Sequence, residues 1–204
     1  MRRLLTLLLL LAGCASQPIP APQTADSAVL VVRANVYDYY GRGVTRTPHK
    51  AYFARLPDEG EAVIDAVDVV ETAHHRGPLA FAFNVPPGRY VVVCLVTVWE
   101  GKDRFVFLPE AAVSASVTEV KAGDRAYMGA VTVRETRNWS RADPVQKRFL
   151  RLVQAGPVKP NTLQKLFPRA IEYCGEDGRL SRTAADEKYT RKTLDSVLPG
   201  MGWE

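Results

Sequence analysis

The chain has 204 residues, of which 47% are hydrophobic and 24% are charged, and a formal net charge of +5. This composition is that of a globular protein and excludes a largely disordered one. The positive charge is too small to indicate a nucleic-acid partner, and it falls by two if a short N-terminal segment containing Arg2 and Arg3 is removed.

The N-terminus has the layout of a secretory signal peptide. Arg2 and Arg3 precede an apolar run from Leu4 to Leu11, which ends in a small-residue cleavage site. The run is shorter than the ~20 apolar residues of a membrane-spanning helix, and no later apolar run in the sequence is long enough to cross a bilayer. We therefore expect this segment to direct export and then to be removed.

The residues that close the apolar run carry a sharper signal. Leu11-Ala12-Gly13-Cys14 resembles the lipobox of bacterial lipoproteins at every position. The resemblance implies that residues 1–13 form a lipoprotein signal peptide, and that Cys14 is acylated on sulfur and becomes the lipidated N-terminus. The lipid alone would then hold the protein at the membrane. An ordinary secreted protein with an unrelated cysteine is the alternative.

Residues 14–27 are predicted to be the lipidated cysteine and a proline-rich tether. Pro18, Pro20 and Pro22 favour extended backbone and prevent a helix. The residue after the lipidated cysteine is Ala15 rather than an aspartate. By resemblance to enterobacterial lipoproteins, this implies transfer to the outer membrane, with the protein facing the periplasm.

Residues 28–136 have the pattern of many short strands. From Ala28 to Val36 apolar and polar residues alternate, as in a half-buried strand. Tyr90 to Trp99 is apolar on both faces, which indicates a central strand covered on both sides. Further strands are predicted at 49–56, 62–70, 79–85, 103–108, 112–120 and 127–133. Such a series predicts a sandwich or a barrel.

Two turns carry a short family resemblance. Asn84-Val85-Pro86-Pro87-Gly88-Arg89-Tyr90 and Lys121-Ala122-Gly123-Asp124 resemble hairpins of transthyretin-like and carboxypeptidase-regulatory-like β-sandwich modules. The resemblance implies a mainly β fold, an antiparallel β-sandwich of transthyretin-like or immunoglobulin-like type, over residues 28–136. It also implies a non-catalytic role, because such modules are usually not enzymes.

Residues 137–204 are predicted to be a helical C-terminal appendage packed on the sandwich. Asp143-Pro144 is a good helix start, with an acidic N-cap followed by proline. Apolar residues at helical spacing follow over 144–153 and over 162–171, where Pro168 demands a kink or a short first turn. A weaker helix is predicted over 184–198.

Two cysteines remain once Cys14 is assigned to lipid. Cys94 and Cys174 are predicted to form a disulfide, because the periplasm is oxidising. The predicted helix that ends near Cys174 would have to pack over the strand that carries Cys94. The alternative is that Cys94 is simply a small buried hydrophobic residue.

The sequence offers weak candidates for metal chemistry. His74 and His75 are adjacent, so in a strand they would point to opposite faces. A metal site needs three or four converging ligands, and we predict no metal and no other cofactor. Carboxylate pairs in polar segments are interpreted as solubilising groups: Glu59 with Glu61, and Asp65 with Asp68.

The predicted helices are rich in basic residues, including Lys147, Arg151, Lys188 and Arg191. Acidic residues are interspersed with them, so we interpret these positions as solvated helix surface. Contact with anionic lipid headgroups is the alternative.

The sequence contains no G-x-S-x-G, P-loop or H-E-x-x-H motif. We therefore predict a membrane-anchored cell-envelope lipoprotein that is not an enzyme and that acts as a binding or assembly module for another envelope protein. The alternatives are a periplasmic enzyme with an unrecognised site and a lipoprotein that binds a small ligand.

Overall fold

A computed structural model describes residues 18–38, 45–57, 68–72, 74–154 and 170–203. These residues are mainly β, as predicted. The predicted signal peptide and Cys14 lie outside the described residues.

The described residues form eleven strands and three α-helices. The strands are β1 (Ala28–Tyr37), β2 (Thr45–Arg46), β3 (Lys50–Leu56), β4 (Asp68–Glu71), β5 (His74–Arg76), β6 (Leu79–Val85), β7 (Gly88–Trp99), β8 (Lys102–Phe107), β9 (Thr118–Val120), β10 (Arg125–Thr136) and β11 (Ala170–Ser181). The helices are α1 (Glu110–Ala115), α2 (Pro144–Gln154) and α3 (Ala184–Val197), with a 3-10 turn at Trp139–Arg141.

All of these strands belong to one hydrogen-bonded sheet. Its order is β4-β3-β7-β8-β11-β10-β1-β6-β5, with β2 beside β1 and β9 beside β7. β1 runs parallel to β10, and β8 runs parallel to β11. The antiparallel sandwich expected over residues 28–136 is therefore not confirmed. The sheet is mixed, and β11, from the predicted helical appendage 137–204, lies inside it.

The sheet curls until its two edges meet. β4 and β5 stand at opposite ends of the strand order, yet one ends at Glu71 and the other begins at His74. Only a curled sheet allows so short a connection between its two edges. Their approach is visible between His49, just before β3, and His75 of β5, whose ring centroids are 6.4 Å apart.

The main apolar core is built around β7. The whole of Tyr90 to Val96 is 0% exposed, which confirms the prediction of a central strand covered on both faces. Other large side chains that are fully buried are Phe53, Phe81, Phe107, Phe149 and Tyr173. α1 and α2 add apolar residues to the core that β7 passes through.

A second core lies on the other face of β1. Leu30 and Val32 point into the main core, whereas Val29 and Val31 point into the second one. β1 is thus buried on both faces over its first half. The second core is closed by α3 and the C-terminal residues, through Leu194, Leu198 and Trp203.

Two of the predicted helices are confirmed. α2 begins at the predicted start, where the Gln146 N–H donates to Asp143 Oδ1 over 2.8 Å and the Asp143 N–H donates to Gln146 Oε1 over 3.1 Å. α3 begins after Thr183, whose hydroxyl oxygen accepts the Asp186 N–H over 3.1 Å. Within the described ranges, no helix combines the length and the apolar character that crossing a membrane requires.

Two predicted elements differ from the structure. The strand expected at 112–120 is helix α1 followed by the short strand β9, and the alanines of Glu110–Ala115 favour a helix. Most of the helix expected at 162–171 lies outside the described residues. Ala170 and Ile171 nevertheless begin strand β11, because β8 provides backbone partners for this first part of the strand, and β10 pairs with the part from Cys174 onward.

The predicted tether is docked over its described part. The Trp203 indole N–H donates to the Pro20 carbonyl oxygen over 2.8 Å, and the Gln23 N–H donates to Asn84 Oδ1 over 2.8 Å. The side chain of Ile19 packs against the second core. From Ile19 onward the segment is therefore part of the fold and does not act as a free spacer.

Candidate functional site

The curled sheet has two ends with different chemistry. β1 and β10 both start at the end where residues 18–27 pack, which we call the proximal end. They finish at Tyr37 and Thr136, which mark the distal end. The 10 residues of β1 separate the two ends by roughly 30 Å at the rise of an extended strand.

The distal end contains a buried ion pair. Arg104 of β8 donates from Nη1 to Glu135 Oε1 of β10 over 2.6 Å, and the two side chains are 11% and 1% exposed. Burial raises the pKa of Glu135, and the Arg104 charge opposes this rise without cancelling it. A carboxylate in this position is desolvated more strongly than its partner compensates.

A second arginine and an aromatic ring cover this pair. Arg46 of β2 is held by Asp38 over 2.8 Å. Its guanidinium lies 4.1 Å from the centroid of the Trp99 ring, and that of Arg104 lies 5.6 Å from the same centroid. Both are within the range of a cation–π contact. The Trp99 ring therefore contacts both guanidiniums at the distal end of the sheet.

The ion pair keeps unused hydrogen-bonding capacity. Among the described residues, several buried atoms have no hydrogen-bond partner: Arg46 Nε and Nη1, Arg104 Nε, Glu135 Oε2 and Thr97 Oγ1. Buried polar atoms are normally satisfied. This concentration of donors and acceptors distinguishes the distal end from the apolar core beside it.

Three large apolar side chains are exposed at the distal end. Tyr37, Val98 and Trp99 are 40%, 50% and 45% exposed, respectively. We call these three residues, together with Arg46, which contacts Trp99, the distal patch. Tyrosine, tryptophan and arginine are the residue types that most often dominate binding energy in protein interfaces.

The proximal end contains a cleft of about 450 Å³ between α3 and the start of β10. Arg125 of β10 pairs with Asp195 over 3.4 Å, and Arg191 pairs with Glu187 over 3.2 Å. Arg125 also donates to the carbonyl oxygen of Trp203. The cleft is thus polar and charged, and it adjoins the docked N-terminal segment.

Two hydroxyl groups form the floor of the cleft. Thr190 is 1% exposed, and its hydroxyl lies near that of Tyr127. Burial is the main cause that raises the pKa of Tyr127 to about 12, and the nearby Asp186 carboxylate adds to it. Tyr127 therefore stays a neutral hydroxyl at any physiological pH.

The predicted disulfide is not formed. Cys94 and Cys174 are both buried, free thiols. Phe107 of β8 pairs with each of them, so one whole strand lies between the two cysteines. Two strand spacings amount to about 10 Å, beyond the ~7 Å between α-carbons that a disulfide can bridge. The prediction is wrong because Cys174 belongs to a strand of the same sheet and not to a helix above it.

Both thiols are unreactive in this setting. Burial raises the pKa of Cys94 well above its usual range and that of Cys174 to about 11. Cys174 Sγ donates to Gln146 Oε1 over 3.1 Å. A thiolate, the reactive form, is disfavoured at both positions.

The histidines are divided between different neighbours. His74 meets Phe83 edge-on at 5.0 Å, His75 faces His49, and His49 Nε2 lies 3.5 Å from Asp103 Oδ1. Burial lowers the pKa of both His49 and His74. In the described ranges no three His, Cys, Asp or Glu side chains converge as metal ligands would. Glu59, Glu61 and Asp65 lie outside the described residues, and Asp68 begins β4.

The charged residues of the distal end were not predicted from the sequence. A signal was nevertheless present in the strand alternation. Val131 and Val133 are buried at alternate positions of β10, and Glu135 occupies the next position of the same face. A charged residue that continues an apolar face indicates a buried polar site. Arg104, two residues before the buried Val106, follows the same rule.

The chain matches no protein-family model, no curated protein and no solved structure.

Proposed function

We propose that the protein is a lipid-anchored lipoprotein of the bacterial cell envelope that binds a protein partner through its distal patch. In this proposal it is a non-catalytic binding or assembly module. The lipobox-like residues ending in Cys14 support the anchor. Ala15 supports the outer membrane, with the domain facing the periplasm.

The arrangement of the two ends supports this assignment. Pro18 and Ile19, the first described residues after Cys14, lie at the proximal end. The distal patch lies at the opposite end, roughly 30 Å away along the strands. A domain attached through its proximal end would direct its distal end away from the lipid surface, where a partner is accessible.

Trp99 is the main support for the proposal, because its side chain is 45% exposed and contacts two arginines. An exposed tryptophan held by buried charges is a rigid, pre-ordered contact. Interface energy concentrates in such residues, whereas scattered exposed apolar residues contribute little.

Site-specific crosslinking in intact cells tests the proposal. A photo-crosslinking residue at Val98 of the full-length chain should give one discrete adduct with another envelope protein. The same residue at Glu119, which is exposed at the proximal end in β9, is the matched control and should not give that adduct. Trp99→Ala should weaken the adduct strongly, since replacing a dominant interface tryptophan costs about 2 kcal/mol or more, roughly thirty-fold in affinity.

Three results would contradict the proposal. One is the same adduct from both positions, and another is an adduct that Trp99→Ala leaves unchanged. The third is an adduct with the mass of two copies of this chain, which would indicate self-association instead of a partner.

A further inference from the structure

We propose that the surface formed by α3 and the turn Pro199–Trp203 lies on the membrane to which Cys14 is attached, with its basic side chains against anionic lipid headgroups. This inference rests on the lipid anchor of the proposed function. It adds an interaction surface that runs from the C-terminal turn at the proximal end along α3.

Only a short stretch of chain separates Cys14 from the folded part of the protein. Ile19 already packs against the second core, five residues after Cys14. Five residues span at most about 18 Å when fully extended. A lipid on Cys14 therefore brings the proximal end within this distance of the headgroups.

Two side chains hold the N-terminal segment at a fixed place on the fold. The bond from the Trp203 indole to the Pro20 carbonyl holds the N-terminal segment against the C-terminal turn. Asn84 binds the same segment from both directions, since its side chain accepts from Gln23 and donates to Ala21. The chain thus leaves the fold beside Trp203, and the surface around Trp203 is the one that the lipid draws toward the bilayer.

The exposed surface of α3 has an excess of positive charge. Each acidic residue of α3 is paired with an arginine: Asp186 with Arg33, Glu187 with Arg191 and Asp195 with Arg125. Lys188 and Lys192, one turn apart on the exposed side of the helix, have no ion pair within the described residues. The surface therefore keeps an excess of positive charge, which the anionic headgroups of a bilayer attract.

The C-terminal turn exposes an apolar side chain. Met201 is 37% exposed between Gly200 and Gly202, whose φ angles of +71° and +77° only glycine adopts without strain. The turn presents one flexible apolar side chain at the C-terminal end of the helix that carries the two lysines. This combination of an apolar contact with flanking basic residues suits the headgroup region of a bilayer.

A fluorescent probe on the full-length lipidated protein tests the inference. Met201→Cys is labelled with an environment-sensitive dye, and Lys102→Cys, exposed at the distal end, is the matched control. Wild-type protein shows the background, because Cys94 and Cys174 are buried. In vesicles of phosphatidylcholine and phosphatidylglycerol, the dye at 201 should shift to the blue and resist a water-soluble quencher. The dye at 102 should do neither.

The lysines provide the second arm of the test. K188Q/K192Q should reduce the protection at position 201 by at least half, and so should vesicles of phosphatidylcholine alone. K102Q, at an exposed lysine of the distal end, should leave the protection unchanged. Equal quenching of the dyes at 201 and 102 on membrane-bound protein would overturn this inference alone. So would protection at 201 that is unchanged both by K188Q/K192Q and by vesicles of phosphatidylcholine alone. Recovery of the protein outside the membrane fraction would overturn the proposed function and this inference with it.

Discussion

The indole N–H of Trp203 donates a hydrogen bond to the carbonyl oxygen of Pro20, 2.8 Å away and 183 residues earlier in the chain. This contact joins the two ends of the described chain. The Trp203 ring is 6% exposed and lies 5.6 Å from the ring of Phe83. The Trp203 side chain therefore holds the N-terminal segment in place and also forms part of the second core.

Replacing Trp203 should separate these two roles. Trp203→Ala should lower the free energy of unfolding by about 3–5 kcal/mol, because it opens a cavity in the second core. Trp203→Phe keeps an aromatic ring but loses the N–H and part of the buried ring volume, and should cost less than Trp203→Ala. Urea unfolding measures both, with the exposed Met201→Ala as a control that should change little. Equal effects for Trp203→Ala and Met201→Ala would show that the second core does not depend on Trp203.

The buried ion pair at the distal end should be costly to break but not costly to replace. Glu135→Leu leaves Arg104 buried without its partner and should destabilise the fold by about 3–5 kcal/mol. The double variant R104L/E135L removes both charges and should recover most of this loss. The measurement is again urea unfolding. A double variant as unstable as the sum of the two single ones would mean that the residues do not act as a pair.

Glu135 should also give the fold a specific pH dependence. Its folded-state pKa lies above its ordinary value of 4.5, mainly because it is buried. Between these two pKa values the folded chain holds the proton and the unfolded chain does not, so stability falls as the pH rises. The contribution is complete below about pH 4.5 and is lost as the pH rises through the folded pKa.

The difference in unfolding free energy between wild type and Glu135→Gln isolates this contribution. The wild type should become less stable relative to the variant as the pH rises from about 4 toward 8. Glu119→Gln, at an exposed position of β9, should give a flat difference. A wild type that gains on Glu135→Gln with rising pH would mean that Arg104 outweighs burial at this site.

The two inner cysteines should behave as protected thiols. In native protein matured in the periplasm, neither Cys94 nor Cys174 should react with an alkylating reagent, because both are buried and their pKa values are raised. In denaturant without reductant, both should be alkylated. Mass spectrometry distinguishes the outcomes. Labelling that requires a reductant would mean that the two cysteines are bonded after all.

Local patterns predicted the elements whose formation depends on local sequence. The alternation of Leu79 to Val85 predicted β6 with its observed bounds, and Asp143-Pro144 predicted the start of α2. The continuous apolar run from Tyr90 onward predicted a strand buried on both faces. In these segments, side-chain periodicity and capping agree with the final fold.

The errors concern contacts between residues far apart in sequence. β11 is a strand because β8 and β10 lie on either side of it, which no local pattern reveals. Gly175 shows how close this packing is, since a Cβ there would lie 2.6 Å from the Phe107 carbonyl oxygen. The docking of residues 18–27 depends on Trp203 and Asn84 in the same way. The distal patch could not be predicted because the curl of the sheet brings Arg46 and Trp99 together.

Lipidation of Cys14 is the central claim of this account, and the mass of the mature N-terminal peptide tests it most directly. We expect the first residue of the membrane-extracted protein to be Cys14 carrying a lipid on sulfur. Cys14→Ser, or globomycin treatment, should leave an unprocessed or non-lipidated form. A mature chain that begins elsewhere, or one that begins at an unmodified Cys14, would contradict lipidation of Cys14.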